Sequence, residues 1–254
     1  MLYQPSPAHV GEWGDAKARG FEEVDFESHD STKLHGWFYD HPKRQAVVLF
    51  LHGNGGNVAT WAEPVRELAV QHRLSVFLFD YRGYGKSEGA PTEAGLGDDA
   101  AAARAWLANR TGVSEESIVL FGRSLGGAVA VDAATSGPPP RGLVLVSTFT
   151  SAPKVAAHHM PWLPAGLVMS QRFPSESRIK AYEQPLLIAH GDADRVIPFA
   201  QGEKLFEAAG SEDKQFVRLR GRDHNDPLSQ GFHDAFDAFL SGLPPESKAT
   251  AAIP

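Results

Sequence analysis

The chain contains no cysteine among its 254 residues, which excludes disulfides, thiolate zinc sites and a cysteine nucleophile. It also lacks any basic cluster. With a net charge of −7 and a pI near 5.9, it offers no surface to neutralise phosphates, so neither a nucleic-acid partner nor an anionic membrane surface is expected. No apolar stretch reaches the length of a membrane span, and the opening Met-Leu-Tyr-Gln-Pro-Ser-Pro has neither a basic n-region nor an apolar h-region. The chain therefore reads as soluble, unexported and cytoplasmic. Internal repeats and a dividing linker are lacking as well, and the 42% hydrophobic content suffices for the core of a single α/β domain spanning 1–254.

What is present is a regular alternation of apolar runs and helical segments. Residues 1–20 are rich in proline, glycine and charge and read as an arm laid over the domain. Phe21 to Asp30 alternates and Lys33 to His41 carries Leu34, Trp37 and Tyr39, which together predict an antiparallel hairpin through Asp30-Ser31-Thr32. Continuous apolar runs follow at Ala46 to Leu51, Ser75 to Phe79, Ile118 to Phe121, Leu143 to Val146 and Pro185 to Ala189, with a last strand at Gln215 to Leu219. Helices are expected between them and from about Leu228 to Leu240. The predicted fold is a mostly parallel eight-stranded sheet with helices on both faces and an antiparallel pair at one edge. The tail 242–254, polar and proline-rich, is expected to fray.

One junction organises the rest. The apolar strand ending at Phe121 runs into Gly122-Arg123-Ser124-Leu125-Gly126, followed by the small-residue helix start Gly127-Ala128-Val129-Ala130. This is a G-x-S-x-G pattern in a strand–turn–helix setting, where the glycines let strand and helix approach each other and the serine hydroxyl is lifted off the sheet edge. In such sheets reactive groups gather at the carboxyl ends of strands. A serine needs a base there, and the base needs a carboxylate.

Of eleven histidines, His224 lies in the polar loop directly after the final strand and is the best-placed base. His190 and His52 sit in strand-end turns that explain them structurally, and His233 falls within the last helix. Asp194, pinned by Val196, Ile197 and Pro198, is the favoured carboxylate. Asp192 is its rival, though an aspartate immediately after glycine is suited to capping its own turn. An oxyanion would need the backbone amides of Leu125, at the helix start, and Asn54, just after His52-Gly53. The glycine-rich turn at His52 could instead cradle a phosphate, but it matches neither nucleotide-binding glycine pattern. No metal-ligand spacing occurs, and Asp80, Arg82 and Arg123 read as structural partners in loops.

Taken together, Leu-His-Gly-Asn-Gly-Gly-Asn from Leu51, Phe-Asp-Tyr-Arg-Gly-Tyr-Gly-Lys-Ser from Phe79, Gly-Arg-Ser-Leu-Gly-Gly from Gly122, His-Gly-Asp-Ala-Asp from His190 and the His224 loop resemble the α/β-hydrolase superfamily. The resemblance is to small-capped serine hydrolases of the bud-emergence and depalmitoylase-like group, and it covers about Phe21 to Leu240. It implies Ser124 as nucleophile, His224 as base, Asp194 as orienting acid, and Asn54 and Leu125 as oxyanion donors. It implies hydrolysis of a small-molecule carboxylic ester or thioester with no cofactor and no metal. Peptidase or acyltransferase chemistry, or ligand binding without catalysis, are the alternatives. Members often carry an N-terminal membrane anchor, and here only Met1 and Leu2 precede the matching Tyr3. A serine at the elbow argues against the dehalogenase and epoxide hydrolase branches, which place an aspartate there. The insertion at about 152–184 is the one segment able to cap the site, with Met160, Trp162, Leu163, Leu167, Val168, Met169 and Phe173 as expected pocket lining.

Overall fold

The computed structural model describes residues 3–7, 10–11, 13–162 and 164–248. Strand β1 (Glu22–Glu27) turns at Ser31, whose φ of 63° is left-handed, into β2 (Lys33–Tyr39), and the two pair antiparallel as expected. Then come β3 (Ala46–Leu51), α1 (Val58–Gln71), β4 (Leu74–Asp80), α2 (Glu93–Thr111), β5 (Ile118–Arg123), α3 (Leu125–Ser136) and β6 (Gly142–Val146). The insertion after β6 holds three short helices, α4 (Ala152–His159), α5 (Ala165–Val168) and α6 (Ser175–Arg178). The chain closes with β7 (Leu186–Gly191), α7 (Phe199–Ala208), β8 (Lys214–Leu219) and α8 (Gln230–Gly242).

The eight strands form one sheet in the order β1-β2-β4-β3-β5-β6-β7-β8, parallel from β4 through β8 and antiparallel where β2 meets its neighbours. The continuous apolar runs arise because both faces of the central strands are covered. In β3, Val47, Leu49 and Leu51 join the core beneath α2, α3 and α7, while Ala46, Val48 and Phe50 join the core beneath α1 and α8. Order reverses at β3, whose neighbours β4 and β5 follow it in the chain on opposite sides. The loops at the carboxyl ends of β3 and β5 therefore diverge and leave a crevice between them.

Loop ends are pinned by buried polar groups. Asn57 caps α1 in a reciprocal capping box with Thr60, and the buried Asp80 accepts the Val58 N–H at 2.8 Å, tying the end of β4 to the start of α1. Arg82 meets the fully buried Asp99 through Nη2 at 2.7 Å and reaches Asp30 through Nη1 at 2.9 Å, a structural role that matches the sequence reading. The arm crosses toward the crevice: Gln4 N–H donates to Asn54 Oδ1 at 3.0 Å, and Gly85 N–H donates to the Ser6 carbonyl at 2.9 Å. The expected fraying does not begin at Gly242. Ser114 N–H donates to the Ser247 carbonyl at 3.0 Å and Arg141 Nε to the Pro244 carbonyl at 2.6 Å, so the tail is tied down through Lys248, and 249–254 lie outside the described residues. Among the described residues, no helix is long and apolar enough to cross a membrane.

Candidate active site

Strand β5 ends at Arg123 and α3 begins at Leu125, leaving Ser124 alone on the turn with φ 54° and ψ −118°. A non-glycine residue there stores on the order of 1–3 kcal/mol of strain and needs surroundings that impose it. Those surroundings are visible. Ser124 N–H donates to the Val146 carbonyl at 2.9 Å, and the Thr148 hydroxyl donates to the Ser124 carbonyl at 2.8 Å, so the end of β6 clamps the turn from both sides. A Cβ on Gly126 would collide with the Leu51 and His52 carbonyls, and one on Gly122 with the Gly126 carbonyl. Strand and helix meet closely enough to tolerate only hydrogen at both positions.

The loop after β8 brings His224 over this turn. Its Nε2 lies 3.0 Å from Ser124 Oγ and its Nδ1 lies 2.8 Å from Asp194 Oδ2, with the imidazole almost fully buried. A carboxylate only accepts, so Nδ1 carries the proton and Nε2 is left to accept from the serine hydroxyl. Asp194 is held in turn by the Val196 and Ile197 N–H groups, both donating to Oδ1 at 2.8 Å. Burial alone would raise its carboxyl pKa. The hydrogen bonds from His190, His224 and Ile197 outweigh that and hold it well below the usual carboxylate range.

The rival carboxylate is engaged elsewhere: Asp192 accepts the Gly221 N–H at 2.6 Å and pairs with Arg218 at 2.9 Å. His190 is fully buried, its Nε2 2.9 Å from the Ile197 carbonyl, and His52 bonds the Gly53 carbonyl at 2.7 Å, with burial lowering its pKa. His233 sits on α8 with its Nδ1 2.9 Å from His72 Nε2, away from Ser124. Asn54 and Leu125 line the same cleft as Ser124. The loop carrying Asn54 passes so close that a Cβ on Gly53 would lie 3.5 Å from Ser124 Cβ.

Arg123, read from sequence as only a structural partner, holds the candidate base. Its Nη2 donates to the His224 carbonyl at 2.7 Å and to the Asp226 carbonyl at 3.3 Å, fastening the His224 loop to the elbow. Burial lowers its pKa, and Asp194 and Asp226 counter that in part. Nothing in the sequence marks this, because the partners stand about a hundred residues away.

The crevice opens as a cleft of about 960 Å³ beneath the insertion. Met160, Val168 and Met169 line it as expected, whereas Trp162 and Leu167 are 78% and 86% exposed and do not. Phe173 is buried against Phe149 and Tyr3, because the chain turns inward there with φ 44°, and Leu163 lies outside the described residues. Further apolar wall comes from Trp61 on α1, Phe149 after β6, Val155 on α4 and Tyr3 from the arm, none of which the sequence marks as lining.

A family profile described as the alpha/beta hydrolase fold matches residues 46–179, more than half of the chain. The chain belongs to that family. Similar proteins include the uncharacterized protein Rv2307c of Mycobacterium tuberculosis, 40% identical over 89% of this chain and 80% of the relative. The uncharacterized membrane protein YNL320W of Saccharomyces cerevisiae is 32% identical over 89% of this chain and 81% of the relative. Among solved structures, the Pyrococcus furiosus esterase Pf2001 superposes with a TM-score of 0.74 at 21% identity, covering 94% of this chain and 99% of that one, a likeness of fold.

Proposed function

We propose that this α/β-hydrolase is a serine hydrolase that cleaves carboxylic esters or thioesters through an acyl-enzyme. The observation that carries the reading is the hydrogen-bonded chain Ser124 Oγ–His224–Asp194, at 3.0 and 2.8 Å. In the first step Ser124 Oγ attacks the substrate carbonyl carbon while His224 Nε2 takes the hydroxyl proton. The carbonyl oxygen becomes an oxyanion facing the backbone amides of Asn54 and Leu125. Collapse of the adduct breaks the bond to the alcohol or thiol, which leaves with the proton from His224. Water then repeats the sequence on the acyl-enzyme, releasing the acid and restoring the Ser124 hydroxyl.

Asp194 stays ionised throughout, because its depressed pKa keeps it a pure acceptor facing the imidazolium that forms at each step. The strained elbow keeps the hydroxyl where the imidazole can reach it, and Arg123 holds the backbone of the His224 loop in place. The reaction as written needs no metal or organic cofactor. With three helices of at most eight residues as its cover, the cleft suits short and medium acyl esters over bulky lipids. Stopped-flow hydrolysis of p-nitrophenyl butyrate and a butyryl thioester tests the reading. A burst of one equivalent of leaving group, absent in Ser124→Ala, supports it, and no turnover of either substrate by folded protein overturns it.

A further inference from the structure

A second cavity of about 470 Å³ lies between α1 and the His224 loop. Its floor is Phe50, Val65, Leu68, Phe121, Val146 and Leu228, drawn from β3, α1, β5, β6 and the segment before α8. The exposed Glu67 and Gln71 mark where it opens to solvent. It is not remote from the cleft above Ser124, since Gly55, Trp61, Arg123 and Asn225 line both. Of these four, only Trp61 presents a large apolar side chain to the boundary.

The indole is fixed on three sides. Its Nε1–H donates to the Gly55 carbonyl at 3.0 Å, its ring lies 5.9 Å from that of Phe50, and the Arg123 guanidinium stands 5.5 Å from the ring centroid. A Cβ on Gly53 would lie 3.5 Å from Ser124 Cβ and 3.6 Å from Trp61 Cζ2, so the ring edge flanks the space beside the serine. An alkyl arm extending that way would meet the indole edge before it reached the apolar floor beyond.

We propose that Trp61 is a specificity-determining residue, the wall between the reaction cleft and an apolar-floored extension of it, and that its indole sets the longest unbranched alkyl arm the site accepts. The inference rests on the ester-hydrolase reading for its kinetic consequence, but the partition itself is a binding property. Removing the indole joins the two cavities and lets an alkyl chain run onto the floor at Leu68 and Leu228. Each methylene that gains this cover is worth roughly fourfold in affinity.

Three variants isolate the wall from the indole's hydrogen bond. Trp61→Ala opens the partition, Trp61→Phe loses the bond to Gly55 but keeps an aromatic wall, and Trp61→Ala with Leu228→Trp refills the extension from its far side. Chain-length profiles of kcat/KM are measured on p-nitrophenyl acyl esters and on acetate esters of primary alcohols, from two to twelve carbons. The expected result is a tenfold or greater relative gain for the longest chains of one series in Trp61→Ala, absent in Trp61→Phe and cancelled by Leu228→Trp. On a Ser124→Ala background, calorimetric titration with butanoate and dodecanoate reads the partition without chemistry, and dodecanoate alone should tighten on removing the indole. Unchanged chain-length preference in both series, or a gain that Trp61→Phe reproduces, overturns the proposal. Tighter dodecanoate binding without ester turnover would sink the hydrolase reading and leave the partition standing.

Discussion

Asp194→Asn is expected to abolish most activity while leaving the fold intact, and the geometry says why. Oδ1 of Asp194 accepts two backbone N–H groups, from Val196 and Ile197, both at 2.8 Å. In the asparagine variant the amide oxygen must keep that position. A flip would aim the NH₂ group at two N–H donors and leave buried donors unpaired, at about 1–3 kcal/mol each. The NH₂ therefore faces His224 Nδ1 across the 2.8 Å contact, and Nδ1 has to become the acceptor. The ring proton moves to Nε2, which then points a hydrogen at Ser124 Oγ and cannot accept one. Loss of the base in this way lowers kcat by about 10⁴, equivalent to about 5.4 kcal/mol of transition-state stabilisation. The assay is kcat and KM for p-nitrophenyl butyrate beside a thermal melt, with Asp192→Asn as the control expected within about threefold of wild type. A folded Asp194→Asn enzyme within tenfold of wild type would refute the tautomer argument and with it the role of Asp194.

Arg123→Met keeps an apolar stem near Trp61 but removes the donors to the His224 and Asp226 carbonyls. A fall in kcat of about ten- to a hundredfold with KM little changed is expected, and a lower melting temperature with kcat intact would show that Arg123 supports only the fold. Gly126→Ala forces a methyl against the Leu51 and His52 carbonyls. Overpacking of about 2–3 kcal/mol corresponds to a drop of roughly 5–10 °C in Tm, read by differential scanning fluorimetry, and an unchanged Tm would contradict the close approach. Because the folded-state pKa of Asp194 is depressed, its contribution to stability is fully present above the ordinary carboxylate pKa, about 3.9, and is lost as pH falls toward the lower folded value. Urea unfolding between pH 3 and 7 should therefore show the gap between wild type and Asp194→Asn narrowing below about pH 4, and a gap constant with pH would contradict the shift.

The sheet was legible because each central strand is buried on both faces and ends at a glycine or polar turn, so apolar runs such as Ala46 to Leu51 announce both the strand and its boundary. Ser124 could be read from its flanking glycines, and His224 from its place after the last strand, since parallel strands gather their ends on one side. The turn chemistry expected of the two aspartates is reversed: Asp194 accepts the local amides of Val196 and Ile197, whereas Asp192 reaches Gly221 and Arg218 on a distant segment instead of capping its own turn. Side-chain contacts between distant loops were not legible: the Arg123 bond to His224 joins residues 101 apart, and no periodicity or spacing encodes it. The insertion was misjudged for a related reason. Its helices are only eight, four and four residues long, too short for an apolar pattern to say which side faces the cleft, so Trp162 and Leu167 looked like lining and Trp61, on a distant helix, did not. The tail from Gly242 looked unanchored because its ties to Ser114, Ser117 and Arg141 are polar, through backbone, hydroxyl and the Glu246 carboxylate, and such contacts leave no hydrophobic signal.

Whether Ser124 is an activated nucleophile can be read without knowing the natural substrate. Wild-type protein and Ser124→Ala are incubated with an alkyl fluorophosphonate and weighed intact. One adduct per wild-type chain, absent from the variant, is the expected result. An unlabelled, fully folded wild type, or equal labelling of the Ser124→Ala protein, would contradict the central claim.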